Sequence, residues 1–364
     1  MLTQEHSYHF TTDYLCSRGL DPADCLFFDI ETTGFRASSS HLYMIGVACL
    51  GKDGWRILQW MAEKPSEEAL LLRTFAAFIR PYSTMIQFNG NRFDIPYLEE
   101  KYAQYGLPSP FTGFTQCEDL YVLIRPLKKL LGLPRLNQKT VESFLCLQRQ
   151  DPYNGGELIQ VYRQFVKTGD PAEADKLWLH NREDVEGMLA LTALYAYVAL
   201  QDPDLSPQRL CFRQSDDLMT LTFSWQQDVS FPTRLQIRPE VFPVVIELAD
   251  QQVHIHVSFL EGTLLHFLPD WKDYYYLPEL DEAYHKSVSS FADASHRVKA
   301  RPENCRIRQN GLFLPQPSAC FTPVFQHEFK DPVYWLHADE SFVGSPDTIV
   351  RYAQVLMQNI LNIV

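Results

Sequence analysis

Residues 25–34 read Cys-Leu-Phe-Phe-Asp-Ile-Glu-Thr-Thr-Gly, and the two acids inside that run limit what the chain can become. The apolar stretch Cys25–Glu31 has the composition of a strand, and a strand sends alternate side chains to the same face. Asp29 and Glu31 therefore point one way, while Phe28 and Ile30 point the other way into packing. Two carboxylates on one face at the end of a buried strand repel each other strongly unless a cation lies between them. Hard oxygen ligands of this kind suit Mg²⁺ or Mn²⁺ rather than zinc. The alternative is a pair of solvated acids at a strand's exit.

Two more acids arrive in matching contexts. An apolar strand over Thr84–Phe88 meets the turn signal Asn89-Gly90-Asn91, and Asp94 then opens a helix. Asp184 lies in His180-Asn181-Arg182-Glu183-Asp184-Val185, within a long helical stretch. Four residues is close to one helical turn, so His180 and Asp184 share a face. Such a set can hold two divalent ions for hydrolysis of a phosphodiester.

The run Asp29–Gly34 resembles the first motif of the DEDD (DnaQ-like) 3′–5′ exonuclease superfamily. Residues 89–96 (Asn-Gly-Asn-Arg-Phe-Asp-Ile-Pro) resemble its second motif, and residues 180–185 its third. Glu118-Asp119-Leu120, the Leu-rich stretch after it, Gly155-Gly156-Glu157 and Tyr162 are similar to the YprB-type ribonuclease H-like family of predicted bacterial exonucleases. The likeness covers residues 22–200. It implies Asp29, Glu31, Asp94 and Asp184 as catalytic metal ligands for two Mg²⁺ or Mn²⁺ ions, and single-stranded DNA or RNA 3′ ends as substrate. It also implies Thr32 and Asn89 as contacts to the terminal nucleotide, with Phe93 packing near it.

The third motif departs from the family pattern, which reads Tyr-x-x-x-Asp or His-x-x-x-x-Asp. Here His180 stands at the spacing of the tyrosine type. The residue in that place is expected to orient or deprotonate the attacking water, and an imidazole titrating near neutrality suits the role. The alternative is a helix histidine that bonds Asp184 or the backbone.

At 364 residues the chain is too long for one compact core, so two domains are expected: 1–202, carrying every motif above, and 203–364. A net charge of −13 argues against tight, sequence-independent binding along a duplex. Lys and Arg number 19 against 26 Asp and Glu in residues 1–205, and 13 against 19 beyond. One stretch runs the other way. Between Cys117 and Gln150, Arg125, Lys128, Lys129, Arg135, Lys139 and Arg149 outnumber Glu118, Asp119 and Glu142, as a backbone contact or an ordinary solvated face. Eight scattered cysteines without a C-x-x-C pair read as reduced core thiols. The polar segment Met1–Phe10 is unlike a secretory signal, and no apolar run is long enough to span a bilayer. A cytoplasmic protein with no membrane association is expected.

Residues 1–21 read as an irregular or helical lead-in. Strands at Cys25–Glu31, His41–Leu50 and Trp55–Met61 follow, then a helix from Ser66 to Ile79 with Ser66 as N-cap. Next come a strand at Thr84–Phe88, a helix at Phe93–Tyr105 and a strand at Thr115–Leu120. This order is that of an α/β, RNase H-like mixed sheet flanked by helices. Further helices are expected at Leu120–Leu131, Gln138–Leu147, Glu157–Thr168 and Ala172–Leu200, with a linker over 201–207.

The second half reads as a β-rich α+β domain. Its features are a hairpin of Val253–Phe259 with Thr263–Leu268 across Glu261-Gly262, a helix from Glu279 to Phe291 after three tyrosines, and a closing helix over Asp347–Asn362. His254 and His256 could bind a metal, and Tyr274–Tyr276 could stack on bases or pack internally. His285, Lys286, Arg297, Lys299 and Arg301 are a modest cationic cluster. This half is expected to be a platform that positions substrate or recruits a protein partner. Two other functions stay open, a strand-binding or partner-recruiting module with weak or no cleavage, and an RNase H-like endonuclease.

Overall fold

The computed structural model describes residues 1–203, 210–215, 220–289 and 294–363. The chain divides into two compact units, Met1–Ala199 with Asp228–Thr233, and Leu200–Gln227 with Arg234–Val364. The short segment 228–233 joins the first unit, where Phe231 packs on Tyr197 with ring centroids 5.0 Å apart.

The first unit is built on six strands: β1 (Leu2–Tyr8), β2 (Cys25–Thr32), β3 (Leu42–Gly51), β4 (Gly54–Met61), β5 (Thr84–Gln87) and β6 (Gln116–Asp119), ordered β1-β4-β3-β2-β5-β6. β1–β4, β4–β3 and β3–β2 pair antiparallel, whereas β2, β5 and β6 run parallel. The helices are α1 (Asp13–Ser17), α2 (Glu68–Phe78), α3 (Asp94–Gln104), α4 (Leu120–Ile124), α5 (Gln138–Phe144), α6 (Gly155–Thr168), α7 (Pro171–Leu191) and α8 (Tyr195–Val198).

Strand β2 is the centre of this sheet and is buried almost throughout, as its unbroken apolar run requires. Phe28 and Ile30 join Leu71, Leu72 and Phe75 of α2 and Tyr97, Leu98 and Tyr102 of α3 in one core. A second core gathers Leu158, Tyr162 and Phe165 of α6 and Ala174, Leu177 and Trp178 of α7 over Tyr43, Met44 and Met61. A register shift between Glu31 and Thr32 interrupts the β2–β3 ladder beside the acids, and irregularities of this kind re-aim side chains.

Several expectations need correction. Residues 2–8 form strand β1, not a lead-in. This edge strand is polar and half exposed, so its order comes from pairing with β4 and not from its own propensity. Ser66 is no cap: Pro65–Glu67 make a 3₁₀ turn and α2 starts at Glu68 with Glu67 as N-cap. The helix expected over 120–131 stops at Ile124, because Pro126 enters a 3₁₀ turn at Arg125–Leu127. The 172–200 helix breaks at Leu191 into 3₁₀ turns and α8, although Met188, Leu191, Leu194, Tyr195 and Val198 are all buried as expected. Only Cys25, Cys49 and Cys305 are buried; Cys16, Cys117, Cys146 and Cys211 are exposed, and all eight are free thiols. The expected linker runs into 204–209, outside the described residues.

The second unit carries a five-stranded sheet of β7 (Cys211–Ser215), β8 (Thr220–Gln226), β9 (Leu235–Ile237), β10 (Val244–Ala249) and β11 (Gln252–Ser258), ordered β7-β8-β11-β10-β9. Three-stranded sheets follow, from β12 (Leu260–Phe267), β16 (Arg306–Gln316) and β17 (Tyr334–His337), and from β13 (Tyr274–Leu277), β14 (Glu282–His285) and β15 (Val298–Lys299). Short helices α9 (Lys286–Ser289) and α10 (Glu340–Val343) and the closing α11 (Pro346–Ile363) complete it.

The expected hairpin across Glu261-Gly262 does not exist. β11 pairs with β10 and β8, while β12 pairs with β16 and carries Gly262 opposite Gly311. Nor is there a helix from Glu279: β13 and β14 form a hairpin whose turn places Asp281 at a φ of 51°, and residues 290–293 lie outside the described residues.

Candidate active site

The acids come together where β2, the start of α3 and the middle of α7 meet. One oxygen of Glu31, one imidazole nitrogen of His180 and one oxygen of Asp184 lie within 4.8 Å of one another, the one such group of potential metal ligands among the described residues. His180 Nε2 is 3.2 Å from Asp184 Oδ2 and 3.6 Å from Glu31 Oε1. The four-residue spacing on α7 thus brings imidazole and carboxylate to the same place. Asp29 follows from strand alternation on β2, and Asp94 from its position as the first residue of α3.

Electrostatics ties all four carboxylates into one cluster. Burial drives Asp29 well above the usual carboxylate range, and Asp184, Glu31 and Asp94 add to the rise, against a hydrogen bond from Asn181. Glu31 is pushed up to about 7, first by burial and then by Asp184, Asp94 and Asp151, with His180 opposing. Asp94 also reaches about 7: burial dominates, Asp119 and Asp184 add to it, and backbone hydrogen bonds at Asp94 and Ile30 resist. Burial alone would depress His180, but Glu31, Asp184 and Asp151 outweigh it and raise the imidazole above its ordinary value. A site that holds protons this tightly is one lacking positive charge.

Five supports of the cluster, Gly46, Gln59, Asn181, Asp119 and Asp151, had no role in the sequence-based expectations. Gly46 and Gln59 stand beside Asp29 in one row across β2, β3 and β4. Asn181, fully buried on α7, lies over that row; its amide donates to Asp29 Oδ2 (3.0 Å) and its Oδ1 accepts from Gln59 Nε2 (2.9 Å). A Cβ at Gly46 would sit 2.1 Å from Asn181 Oδ1, so only glycine lets α7 lie this close. A glycine inside an otherwise apolar strand was the signal available for this contact.

Asp119, the N-cap of α4, accepts from the amides of Asn89 (2.8 Å), Asn91 (3.3 Å) and Tyr121 (3.0 Å), and so shapes the turn ahead of Asp94. Asp151, the fifth support, receives His180 Nδ1 at 2.5 Å. Arg149 is not a solvated member of a basic face. Its Nη1 is 2.6 Å from Asp184 Oδ1, while Nε and Nη2 hold Glu142 at 2.5 and 2.6 Å. Arg125, Lys128, Lys129 and Arg135 remain exposed.

The residues expected to touch a nucleotide lie next to these acids in the chain. Thr32 Oγ1 donates to the Gly34 carbonyl at 2.9 Å, Asn89 adopts a φ of 63°, and Phe93 is the N-cap of α3. Phe93 packs edge-on to Phe35, a residue 90% exposed, with centroids 6.1 Å apart. The loop carrying Phe35 is anchored by Ser40, whose hydroxyl bonds the carbonyls of Gly34 and Arg36 and the Tyr97 hydroxyl. Lys101 donates to the Ser40 carbonyl and pairs with buried Glu68 at 2.9 Å.

Residues 26–197 match the model of the RNase_H superfamily. The first unit is an RNase H-like domain. It resembles the uncharacterized protein YprB of Bacillus subtilis (strain 168), with 26% identity over 187 residues. The match spans 51% of this chain and 44% of YprB, less than half of the relative's length. Among solved structures, the family B DNA polymerase from the hyperthermophilic archaeon Pyrobaculum calidifontis is similar at a TM-score of 0.40 and 15% identity, over 74% of this chain and 40% of that one. The six-stranded mixed sheet of the RNase H-like domain carries Asp29 and Glu31 on β2, while Asp94 and Asp184 come from helices α3 and α7.

In the second unit, His254 and His256 each bond a hydroxyl on β8, from Ser224 (2.8 Å) and Thr222 (2.9 Å). No third ligand gathers with them among the described residues. Tyr275 lies under the Arg297 guanidinium at 4.7 Å, and no helix among the described residues is long and apolar enough to cross a membrane.

Proposed function

We propose that the RNase H-like domain is a divalent-metal-dependent 3′–5′ exonuclease acting on single-stranded DNA or RNA ends. The observation that carries this is the convergence of Glu31, His180 and Asp184 within 4.8 Å, amid two further buried acids. The donor set fits hard cations: Asp29, Glu31, Asp94 and Asp184 offer oxygen, and their mutual repulsion is relieved by a proton or a cation alone. They would hold two Mg²⁺ or Mn²⁺ ions, which when bound supply the charge that acidifies water and steadies a departing 3′-oxygen.

The protein's own groups do the rest. His180 Nε2 accepts the proton of the attacking water, and Arg149 holds the Asp184 carboxylate in place. Thr32 and Asn89 line the approach to the terminal nucleotide, and Phe93 backs Phe35 as an exposed aromatic surface against which an unpaired base can stack. The exposed bases Arg125, Lys128, Lys129 and Arg135 offer a path for the backbone. The second unit acts as a platform for substrate or a protein partner. One observation favours a second reading, a strand-binding module with weak cleavage: the Arg149–Asp184 pair already spends part of one ligand's charge inside the protein.

End-labelled single strands of DNA and RNA, incubated with Mg²⁺ or Mn²⁺, should shorten stepwise from the 3′ end, and a covalently closed circle should survive. Cutting of the circle would reassign the site to an endonuclease. Binding without shortening would leave the module.

Metal affinity should also depend on pH. Glu31 and Asp94, both pushed up to about 7, must lose their protons to bind a cation. Affinity should therefore fall roughly tenfold per pH unit for each displaced proton below about pH 7, and level off above it. Calorimetric titration in buffers of different ionisation enthalpy reads the protons released. An affinity independent of pH from about 5.5 to 8 would contradict the assignment of these ligands.

A further inference from the structure

We propose that Asp151 is the positioning residue for His180, holding the imidazole through Nδ1 so that Nε2 is the nitrogen presented to the reaction. This rests on the exonuclease reading for its catalytic consequence, but not for its geometry.

An imidazole has two nitrogens, and the partner of one decides what the other can do. Here Nδ1 is 2.5 Å from Asp151 Oδ2, in direct hydrogen-bond contact, and both side chains are almost wholly buried. With the proton on Nδ1 donated to Asp151, Nε2 keeps its lone pair and faces Glu31 and Asp184. Without Asp151 the ring could carry its proton on Nε2, aimed at two carboxylates that would welcome it. It would then have no lone pair for water.

Asp151 is itself held from several sides. Its Oδ1 accepts the Tyr153 amide at 3.0 Å, and Lys139 Nζ approaches Oδ2 at 3.3 Å while donating to the Tyr153 carbonyl at 2.7 Å. The amides of Gln150 and Asp151 donate to the Glu183 carboxylate at 2.8 and 3.0 Å. Glu183 lies three residues along α7 from His180, so the loop is clamped to that helix at two points about one turn apart. The carboxylate can therefore neither swing away nor be replaced by solvent without breaking the loop. A carboxylate fixing the far nitrogen of a working histidine is a recurrent device of acid–base and metal sites. Nothing in residues 148–154 announces it, because the partner is distant in sequence.

The test uses the whole chain with ¹⁵N-labelled histidine, and long-range ¹H–¹⁵N spectra of the imidazoles, with the His180 signals assigned by their loss in His180→Gln. Wild-type protein should show a far-downfield proton bound to Nδ1 of His180. In Asp151→Ala that proton should vanish. The isosteric Asp151→Asn guards against a folding defect: it keeps the volume but not the charge, and should move the same signal upfield.

In cleavage assays both variants should lower kcat by about 10²-fold or more with KM changed by less than about threefold, and Asp151→Glu should recover about tenfold of the loss. An unprotonated Nδ1 in the wild type, an Nδ1 proton that persists in Asp151→Ala, or an unchanged kcat in a folded variant would each overturn the assignment. If the wild type cleaves no strand, the exonuclease reading fails, while the spectra still decide which nitrogen Asp151 holds.

Discussion

Asp29→Asn should abolish cleavage and yet leave the metal-free protein more stable than the wild type above neutral pH. The loss should be on the order of 10³-fold or more, because residues behind a metal ligand already cost about 10- to 100-fold and Asp29 would be a ligand itself. The gain in stability follows from the repulsion at the site. Glu31 and Asp94 sit at about 7 in the folded protein, raised mainly by burial and also by neighbouring acids. Their unfolded values are about 4, so the folded state holds protons that the unfolded chain releases.

The stability linked to those protons is complete below about pH 4 and is lost as pH rises through about 7. Asparagine removes one charge from the cluster and can still accept the hydrogen bond from Asn181. At about pH 8 the metal-free variant should melt higher than the wild type by a few degrees, and added Mg²⁺ should raise the wild type far more than the variant. Scanning calorimetry with and without chelator measures both. Near-wild-type cleavage in Mn²⁺, or a lower melting point than the wild type without metal, would mean that Asp29 is a structural acid.

Gly46→Ala should be severe although it adds one methyl group to a strand. The new Cβ would lie 2.1 Å from Asn181 Oδ1, 2.9 Å from its Cγ and 3.0 Å from Val185 Cγ2. None of these is the loose end of a long side chain. Asn181 is fully buried and engaged with both Asp29 and Gln59. Either α7 lifts from the sheet or Asn181 rotates and leaves buried polar groups unmatched. Overpacking costs about 1–3 kcal/mol and an unpaired buried group a similar amount, so a loss of roughly 2–5 kcal/mol is expected. Because α7 also carries His180 and Asp184, metal affinity and turnover should fall together with stability. Denaturant melts and metal titration of the variant check this; a change within about 0.5 kcal/mol, with full affinity, would show that α7 accommodates the methyl.

The parts of the site that the sequence displayed are those governed by local periodicity. Alternation on β2 put Asp29 and Glu31 on one face, the Asn89–Asn91 turn announced Asp94, and four-residue spacing joined His180 to Asp184. What stayed hidden depends on partners far along the chain. Asp151 meets His180 across 29 residues of separation, and Asn181 meets Asp29 across 152. Arg149 looked like one base in a basic stretch, and nothing local distinguishes a cation turned inward on Asp184 from one facing water. β1 escaped notice because a polar edge strand takes its shape from its neighbour. In the second unit, consecutive strands β11 and β12 looked like a hairpin, but they belong to different sheets, and pairing choices of that kind are made over long range.

Helix α7 is a single rod with several tenants. Its side chains face the acids at His180 and Asp184, the sheet at Asn181 and the 148–154 loop at Glu183. Each of those surfaces fixes the rod's rotation and height, so none can drift in evolution without disturbing the other two. Any change that keeps the chemistry must keep the glycine beneath the helix and the loop beside it together.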